Sequence, residues 1–168
     1  CAKSNLSVPK ISIEPGRAIV GPTTTTIYLV GTTKPVTLDD GSIRRYVSVD
    51  GGMSDNIRPA LYGATYSAFL ANRTSTAKSI STRVVGKHCE SGDILISDIE
   101  LPSDIKIGDL LAIPATGAYG RSMASNYNHI PRPSVIAVIN GSAREILRRE
   151  TEADLLNLDV IQAPRQMS

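Results

Sequence analysis

Tryptophan is absent from the 168 residues, phenylalanine occurs once, and the aromatic complement rests on six tyrosines. Stacking platforms for nucleic-acid bases and large aromatic protein interfaces use residues this chain hardly has. Strong charge of one sign is also missing. There are 18 Lys plus Arg against 16 Asp plus Glu, a formal net charge of +2, so no polyanion surface and no nucleic-acid partner is expected. No apolar run approaches the roughly 20 residues that a bilayer-spanning helix needs. The longest, such as Val135–Ile139, have strand length, and no membrane partner is expected. Two cysteines, Cys1 and Cys89, make no disulfide framework and fit a reducing, cytoplasmic setting. The chain opens on Cys and lacks the charged, apolar, small-residue order of a secretory signal, so it reads as a piece of a longer protein.

What is present is ordinary globular composition, 41% hydrophobic and 20% charged, enough for one modest core. Alternation at Ile11 and Ile13, then Pro15-Gly16 and an apolar segment closed by Gly21-Pro22, reads as strand, tight turn and short helix. From Thr23 the pattern changes to runs rich in Thr, Val, Ile and Tyr, the composition of strands. Strands are predicted at 24–31, 35–38, 43–49, 66–71, 80–85, 94–99, 110–113 and 134–139. Antiparallel turns are expected at Asp39-Asp40-Gly41 and Asn140-Gly141, the latter the strongest hairpin signal in the chain. This spacing points to a small barrel or sandwich. A short helix is predicted after Asp55 or Asn56 as cap, with Pro59 in its first turn, and another from Thr151 with a capping-box partner at Asp154.

Four polar, glycine-rich segments stand where strands end: EPGR at 14–17, DGGMSDNIRPALYG at 50–63, GKHCESGD at 86–93 and ATGAYGRSMASNYNHIPRP at 115–133. The Gly16-Arg17 turn, closing a strand and opening a helix, suits an anion such as phosphate; the plainer alternative is a turn with a surface Arg. Arg58 and Tyr62 are four apart on a predicted helix and share a face, where fork and phenol can together hold a carboxylate. The alternative is an Arg lying along a Tyr ring. Cys89 sits beside Lys87, His88 and Glu90, and an exposed thiol with cationic neighbours can act as proton donor or nucleophile. A buried small hydrophobe is the competing assignment. His88 and His129 are the only histidines, too few with Cys89 for an ordinary zinc site, so no metal is expected, and no GxSxG elbow is present. The small residues around Tyr119 suit a loop closing on a ligand, or a structural turn with Tyr119 in the core.

Taken in order, EPGRAIVG, YVSVDGGMSDNIRPALYGA, VVGKHCESGD, LPSDIKIGDLLAIPATGAYGRSMASNYNHIPRP and RRETEADLLNLD resemble the carboxy-terminal part of the diaminopimelate decarboxylases, especially the actinobacterial ones. The likeness runs over about residues 9–160, and long motifs in sequence carry far more information than one short pattern. It implies a mainly β, Greek-key barrel or sandwich-like carboxy-terminal domain, as in alanine racemase and ornithine decarboxylase, among the fold-type III pyridoxal-phosphate enzymes. Residues 1–22 would then be the end of a (β/α)8 barrel, 23–160 the β domain, and 161–168 a disordered tail. The resemblance further implies decarboxylation of meso-diaminopimelate to L-lysine by a homodimer with shared active sites. Glu14, Gly16 and Arg17 would reach the phosphate of pyridoxal phosphate, with Arg17 also on a substrate carboxylate. Arg58 and Tyr62 would bind the distal end of the substrate, and Tyr119 would lie against cofactor and substrate. Cys89 would be the acid that protonates the α-carbon after carbon dioxide leaves, and Glu90 would recognise the distal ammonium, both in the partner subunit's site.

One departure is informative. The lysines, at 3, 10, 34, 78, 87 and 106, lie outside the family's early-barrel motif that binds the cofactor, so the chain alone is expected to be inactive. Two other functions remain open at this level: decarboxylation of ornithine or arginine on the same fold, and a non-catalytic β module that mediates dimerisation.

Overall fold

The structure, a computed structural model, describes residues 2–160. Residues 161–168, expected as a tail, lie outside the described residues. The chain is mainly β, and its centre is a curled half-barrel sheet of six strands, β1 (Thr25–Thr37), β2 (Ile43–Val49), β3 (Phe69–Leu70), β4 (Ser79–Val85), β5 (Ile94–Pro102) and β6 (Leu110–Pro114), in the order β3-β6-β1-β2-β4-β5.

The organising strand is β1 (Thr25–Thr37), which merges the two short strands expected at 24–31 and 35–38. Its first half pairs antiparallel with β6 (Leu110–Pro114), and from Val30 onward it pairs with β2 (Ile43–Val49). The change of partner coincides with a bulge between Val30 and Thr33, where Thr32 N–H donates to Ser48 Oγ at 2.8 Å. A bulge bends its strand and adds twist, which lets one strand serve two parts of a curled sheet. The β1–β2 turn is the expected one. Gly41 adopts φ +79°, Leu38 N–H donates to Ser42 O at 2.8 Å, and Thr37 pairs with Ile43.

The link after β2 carries α2 (Arg58–Tyr62) and the short β3 (Phe69–Leu70), then enters β4 (Ser79–Val85). A crossover of that length allows the parallel β2–β4 pairing, Val47 opposite Val84, inside an otherwise antiparallel sheet. β4 returns antiparallel through β5 (Ile94–Pro102). After β6 come α3 (Gly120–Met123), a hairpin of β7 (Val135–Ile139) and β8 (Ser142–Leu147), and α4 (Glu152–Leu156). The hairpin turns at Asn140 and Gly141, φ +50° and +78°, the positive pair a two-residue loop requires. Thr151 and Asp154 form the expected capping box at α4.

The core sits on one face of the sheet. Tyr28, Val30, Val47, Val49, Val84, Leu95, Leu111 and Ile113 alternate inward along their strands, with Leu101 and Ile105 closing one end. Each such side chain contributes about 1.5–3 kcal/mol when fully buried.

Three expectations are corrected here. The strand at Ile11–Ile13 does not form, and both residues are 78% exposed, because no strand among the described residues pairs with that segment. The strand expected at 66–71 shrinks to Phe69–Leu70, the stretch in register with β6. Neither Asp55 nor Asn56 caps α2: Ile57 holds the cap position without a side-chain bond, because the Asp55 carboxylate is already taken by Tyr28 and Gly52.

Candidate functional site

Loops that leave the sheet bring the sequence-predicted residues together in two clusters. The first joins α1 (Arg17–Val20), α2 and the segment after β6. Thr116 N–H donates to Thr24 O at 3.0 Å and Gly117 N–H to Gly21 O at 3.1 Å, stitching the two segments together. A Cβ on Gly117 would lie 2.0 Å from the Val20 carbonyl oxygen, so only glycine permits this approach. Arg17 Nη2 then reaches Ala118 O at 3.4 Å, one residue before Tyr119.

Tyr119 sits at φ +68°, the left-handed region, and the residue is 54% exposed, which removes the core assignment. The Arg58 guanidinium carbon lies 5.9 Å from the Tyr119 ring centroid and 5.2 Å from that of Tyr62. Helix α2 supplies Arg58 and Tyr62 from one face, and Gly63 at φ +60° ends it, its N–H donating to Pro59 O. Arg58 Nε is buried without a partner, and among the described residues neither Arg17 nor Arg58 enters an ion pair. A guanidinium flanked by two aromatic rings and lacking a carboxylate is suited to receive an acidic ligand.

The segment before α2 is pinned from below. The buried Tyr28 hydroxyl donates to Asp55, whose other oxygen accepts Gly52 N–H at 2.7 Å. Burial, then the neighbouring Asp55 charge, pushes the Tyr28 phenol well above its usual value. Burial likewise raises Asp55, against the lowering effect of the Tyr28 and Gly52 bonds.

The second cluster centres on the β4–β5 loop. Cys89 is exposed, as an acid that serves solvent or a bound molecule must be, so the buried-hydrophobe assignment fails. Beside it the Asp93 carboxylate, 3% exposed, accepts Met53 N–H at 2.6 Å and His88 N–H at 2.8 Å. Gly52 and Gly86 press on this carboxylate, since a Cβ on either would lie within 2.1–2.6 Å of an Asp93 oxygen. Lys87 N–H donates to Gly51 O at 3.0 Å, and His88 Nε2 and Ser54 Oγ are 2.9 Å apart. The loops carrying Arg58 and Cys89 are thereby tied into one piece. Glu90 is exposed, with Oε1 near Ser91 Oγ at 3.3 Å and Oε2 3.5 Å from the Tyr127 hydroxyl.

Glu14 and Gly16 are exposed in the approach to α1, and a Cβ on Gly16 would meet nothing within 4 Å. Open space at Gly16, the unpaired Arg17 and the outward ring of Tyr119 fit a phosphorylated aromatic cofactor. A cleft of about 460 Å³ lies elsewhere. Its walls include Pro59, Ala60, Gly63, Tyr66, Ile94 and Ile96, and none of Glu14, Gly16, Arg17, Arg58, Tyr62, Cys89, Glu90 and Tyr119 lines it. Ser54, Asp93 and Tyr127 lie inside the polar segments but carry no role that the sequence assigns; the glycines at 51, 52 and 86 are the sign in the sequence that side chains are clasped there.

Residues 19–117, more than half of the chain, match the family model described as the C-terminal sheet domain of pyridoxal-dependent decarboxylases. The diaminopimelate decarboxylase of Corynebacterium efficiens is 57% identical over 159 residues, which are 95% of this chain and 35% of that protein. That of Mycobacterium tuberculosis is 58% identical over 155 residues, 92% of this chain and 35% of the relative. Among solved structures, diaminopimelate decarboxylase from M. jannaschii in co-complex with L-lysine matches with a TM-score of 0.81 at 32% identity, covering 95% of this chain and 35% of that one. The chain thus spans about a third of the length of the curated relatives it matches. Sheet order, the stitched loops and this match over the sheet lead to one conclusion: the chain belongs to the pyridoxal-dependent decarboxylase family, of which it is a C-terminal sheet domain.

Proposed function

We propose that this chain is the sheet domain of a diaminopimelate decarboxylase, a cytoplasmic carboxy-lyase that removes carbon dioxide from meso-diaminopimelate to leave L-lysine, the last step of lysine biosynthesis. The observation that carries the reading is Arg58, half-buried between Tyr62 and Tyr119 and, among the described residues, paired with no carboxylate. A substrate with a distal amino-acid head brings the missing carboxylate, whereas ornithine and arginine do not. The identity to diaminopimelate decarboxylases supports the same choice. On this reading residues 1–22 end a cofactor-binding barrel and residues 23–160 form the β domain.

Pyridoxal phosphate, when bound, supplies the electron sink that lets the carboxylate leave. Gly16 and Arg17 would hold its phosphate, Arg17 by charge and Gly16 by leaving backbone open to it, and Glu14 in the same turn would face the cofactor. Arg17 also meets a substrate carboxylate. Arg58 binds the distal carboxylate by its fork and Tyr62 steadies it with a phenol. Tyr119 covers the reacting end and excludes water. Cys89 donates its thiol proton to the α-carbon once carbon dioxide has gone, and Glu90 takes the distal ammonium. Cys89 and Glu90 act in the site of a second subunit, so the working unit is a homodimer.

The test is a rate comparison of the full-length protein on meso-diaminopimelate and ornithine. Preference for diaminopimelate by more than about a hundredfold in kcat/KM is expected, because a half-buried guanidinium left without its carboxylate rejects the substrate that lacks one. Equal rates, or a preference for ornithine, would overturn the assignment. The 168 residues alone, given pyridoxal phosphate, should show no turnover, and measurable decarboxylation would refute their inactivity.

A further inference from the structure

The proposed function uses Tyr119 from the segment after β6 and leaves unexplained the strained stretch that follows it. Asn128 and His129 lie consecutively at φ +54° and +55°, a conformation that non-glycine residues adopt rarely and keep only where the surroundings enforce it. Here the surroundings do. Glu150 accepts Asn126 Nδ2 at 2.7 Å, Arg132 N–H at 2.8 Å and Arg132 Nη1 at 2.7 Å. Arg132 Nε donates to Ala124 O at 3.0 Å, and Ser125 N–H donates to Ser54 O at 2.8 Å.

The residue inside this clamp is Tyr127. Its ring packs edge-on to the buried His88, with centroids 5.3 Å apart and planes at 65°. Its hydroxyl lies 3.5 Å from Glu90 Oε2, while Glu90 Oε1 is near Ser91 Oγ at 3.3 Å and Gly92 N–H at 3.4 Å. A solvent-exposed glutamate samples many rotamers, and a carboxylate met from both oxygens loses much of that freedom before any ligand arrives.

We propose that Tyr127 is a positioning residue for substrate recognition: its phenol, fixed by the 124–132 clamp and the His88 ring, holds the Glu90 carboxylate ready for the distal ammonium of the substrate. The inference rests on the reading of Glu90 as the ammonium partner. It assigns to Tyr127 an effect on KM, with the chemical step left to Cys89.

The experiment uses the full-length enzyme with meso-diaminopimelate and four proteins: wild type, Tyr127→Phe, Glu90→Gln and the double variant, with the melting temperature of each recorded. Phenylalanine keeps the ring contact with His88 and removes only the hydroxyl. The expected result is a KM raised roughly three- to tenfold in Tyr127→Phe, with kcat changed much less, the scale of one ordinary net hydrogen bond, as suits a contact of 3.5 Å. Glu90→Gln should raise KM further, and adding Tyr127→Phe to it should change KM little, because the phenol acts through the carboxylate. If Glu90→Gln raises KM while Tyr127→Phe does not, or if the two effects simply multiply, the positioning role of Tyr127 is overturned and the Glu90 reading survives. If Glu90→Gln leaves KM unchanged, the Glu90 reading fails and the inference falls with it. A lowered melting temperature in Tyr127→Phe with kcat reduced as much as kcat/KM would reveal a purely structural residue, which also overturns it.

Discussion

The His88 backbone N–H donates to Asp93 Oδ2 at 2.8 Å, immediately before Cys89 in the chain. The opposite oxygen accepts Met53 N–H at 2.6 Å, and glycines at 52 and 86 leave room for nothing larger. Asparagine in place of Asp93 has one acceptor oxygen and an amide group that would face a donor. One buried N–H would be left unpaired, at a cost of about 1–3 kcal/mol. Asp93→Asn should therefore lower the unfolding free energy measured in urea by that amount, with the midpoint shifted down accordingly. It should also reduce kcat at temperatures where the variant is fully folded. Unchanged midpoint and kcat would mean that the clasp does not hold the Cys89 loop.

Removing the thiol tests the chemistry directly. In the full-length enzyme Cys89→Ala should lower kcat by about two to four powers of ten, the usual scale for a lost general acid. The exposed position of Cys89 makes a folding defect an inadequate explanation, and an unchanged melting temperature would establish that point. Near wild-type turnover would remove Cys89 from the reaction.

Arg58 is set between two rings, and this distinguishes guanidinium from ammonium. Lysine keeps the charge but loses both the bidentate fork and the flat face that packs on Tyr62 and Tyr119. Arg58→Lys should raise KM for meso-diaminopimelate at least roughly tenfold, with a smaller effect on kcat, as expected when ground-state binding is lost. A lysine variant with wild-type KM would show that charge alone suffices and that the fork geometry is idle.

How far the sequence reached depended on whether the deciding interaction was local. The Asp39-Asp40-Gly41 and Asn140-Gly141 turns and the Thr151–Asp154 capping box are set by neighbours within a few residues, and all three are formed. The pairing of Arg58 with Tyr62 follows from four-residue spacing on one helix. Tyr119 joins them from far along the chain, through a glycine approach at Gly117 that the periodicity of strands does not encode. The cap expected of Asp55 failed for a related reason, because Tyr28, distant in sequence, claims that carboxylate. Alternation identified β2 and β4 as strands without saying that they would lie parallel, since hydrophobic period fixes a face and not a neighbour.

Glu150 gives the fold a dependence on pH whose sign can be worked out. Burial pushes its carboxyl upward, but the Arg132 N–H, the Asn126 amide and the Arg132 guanidinium outweigh this and bring its pKa down to about 2. The unfolded chain binds that proton at about 4.3, as an ordinary glutamate. A depressed native pKa means that the ionised carboxylate stabilises the fold above the unfolded value, and that this contribution is lost as pH falls towards 2. Glutamine at this position accepts hydrogen bonds but carries no charge, so wild type should exceed Glu150→Gln in melting temperature most at neutral pH. The gap should narrow steadily between about pH 4.3 and pH 2, since the unfolded chain takes up the proton in this range while the native carboxylate does not until about pH 2. A gap that stays constant across this range would mean that shape and hydrogen bonding, and not the ionised carboxylate, hold the 124–132 clamp around Tyr127.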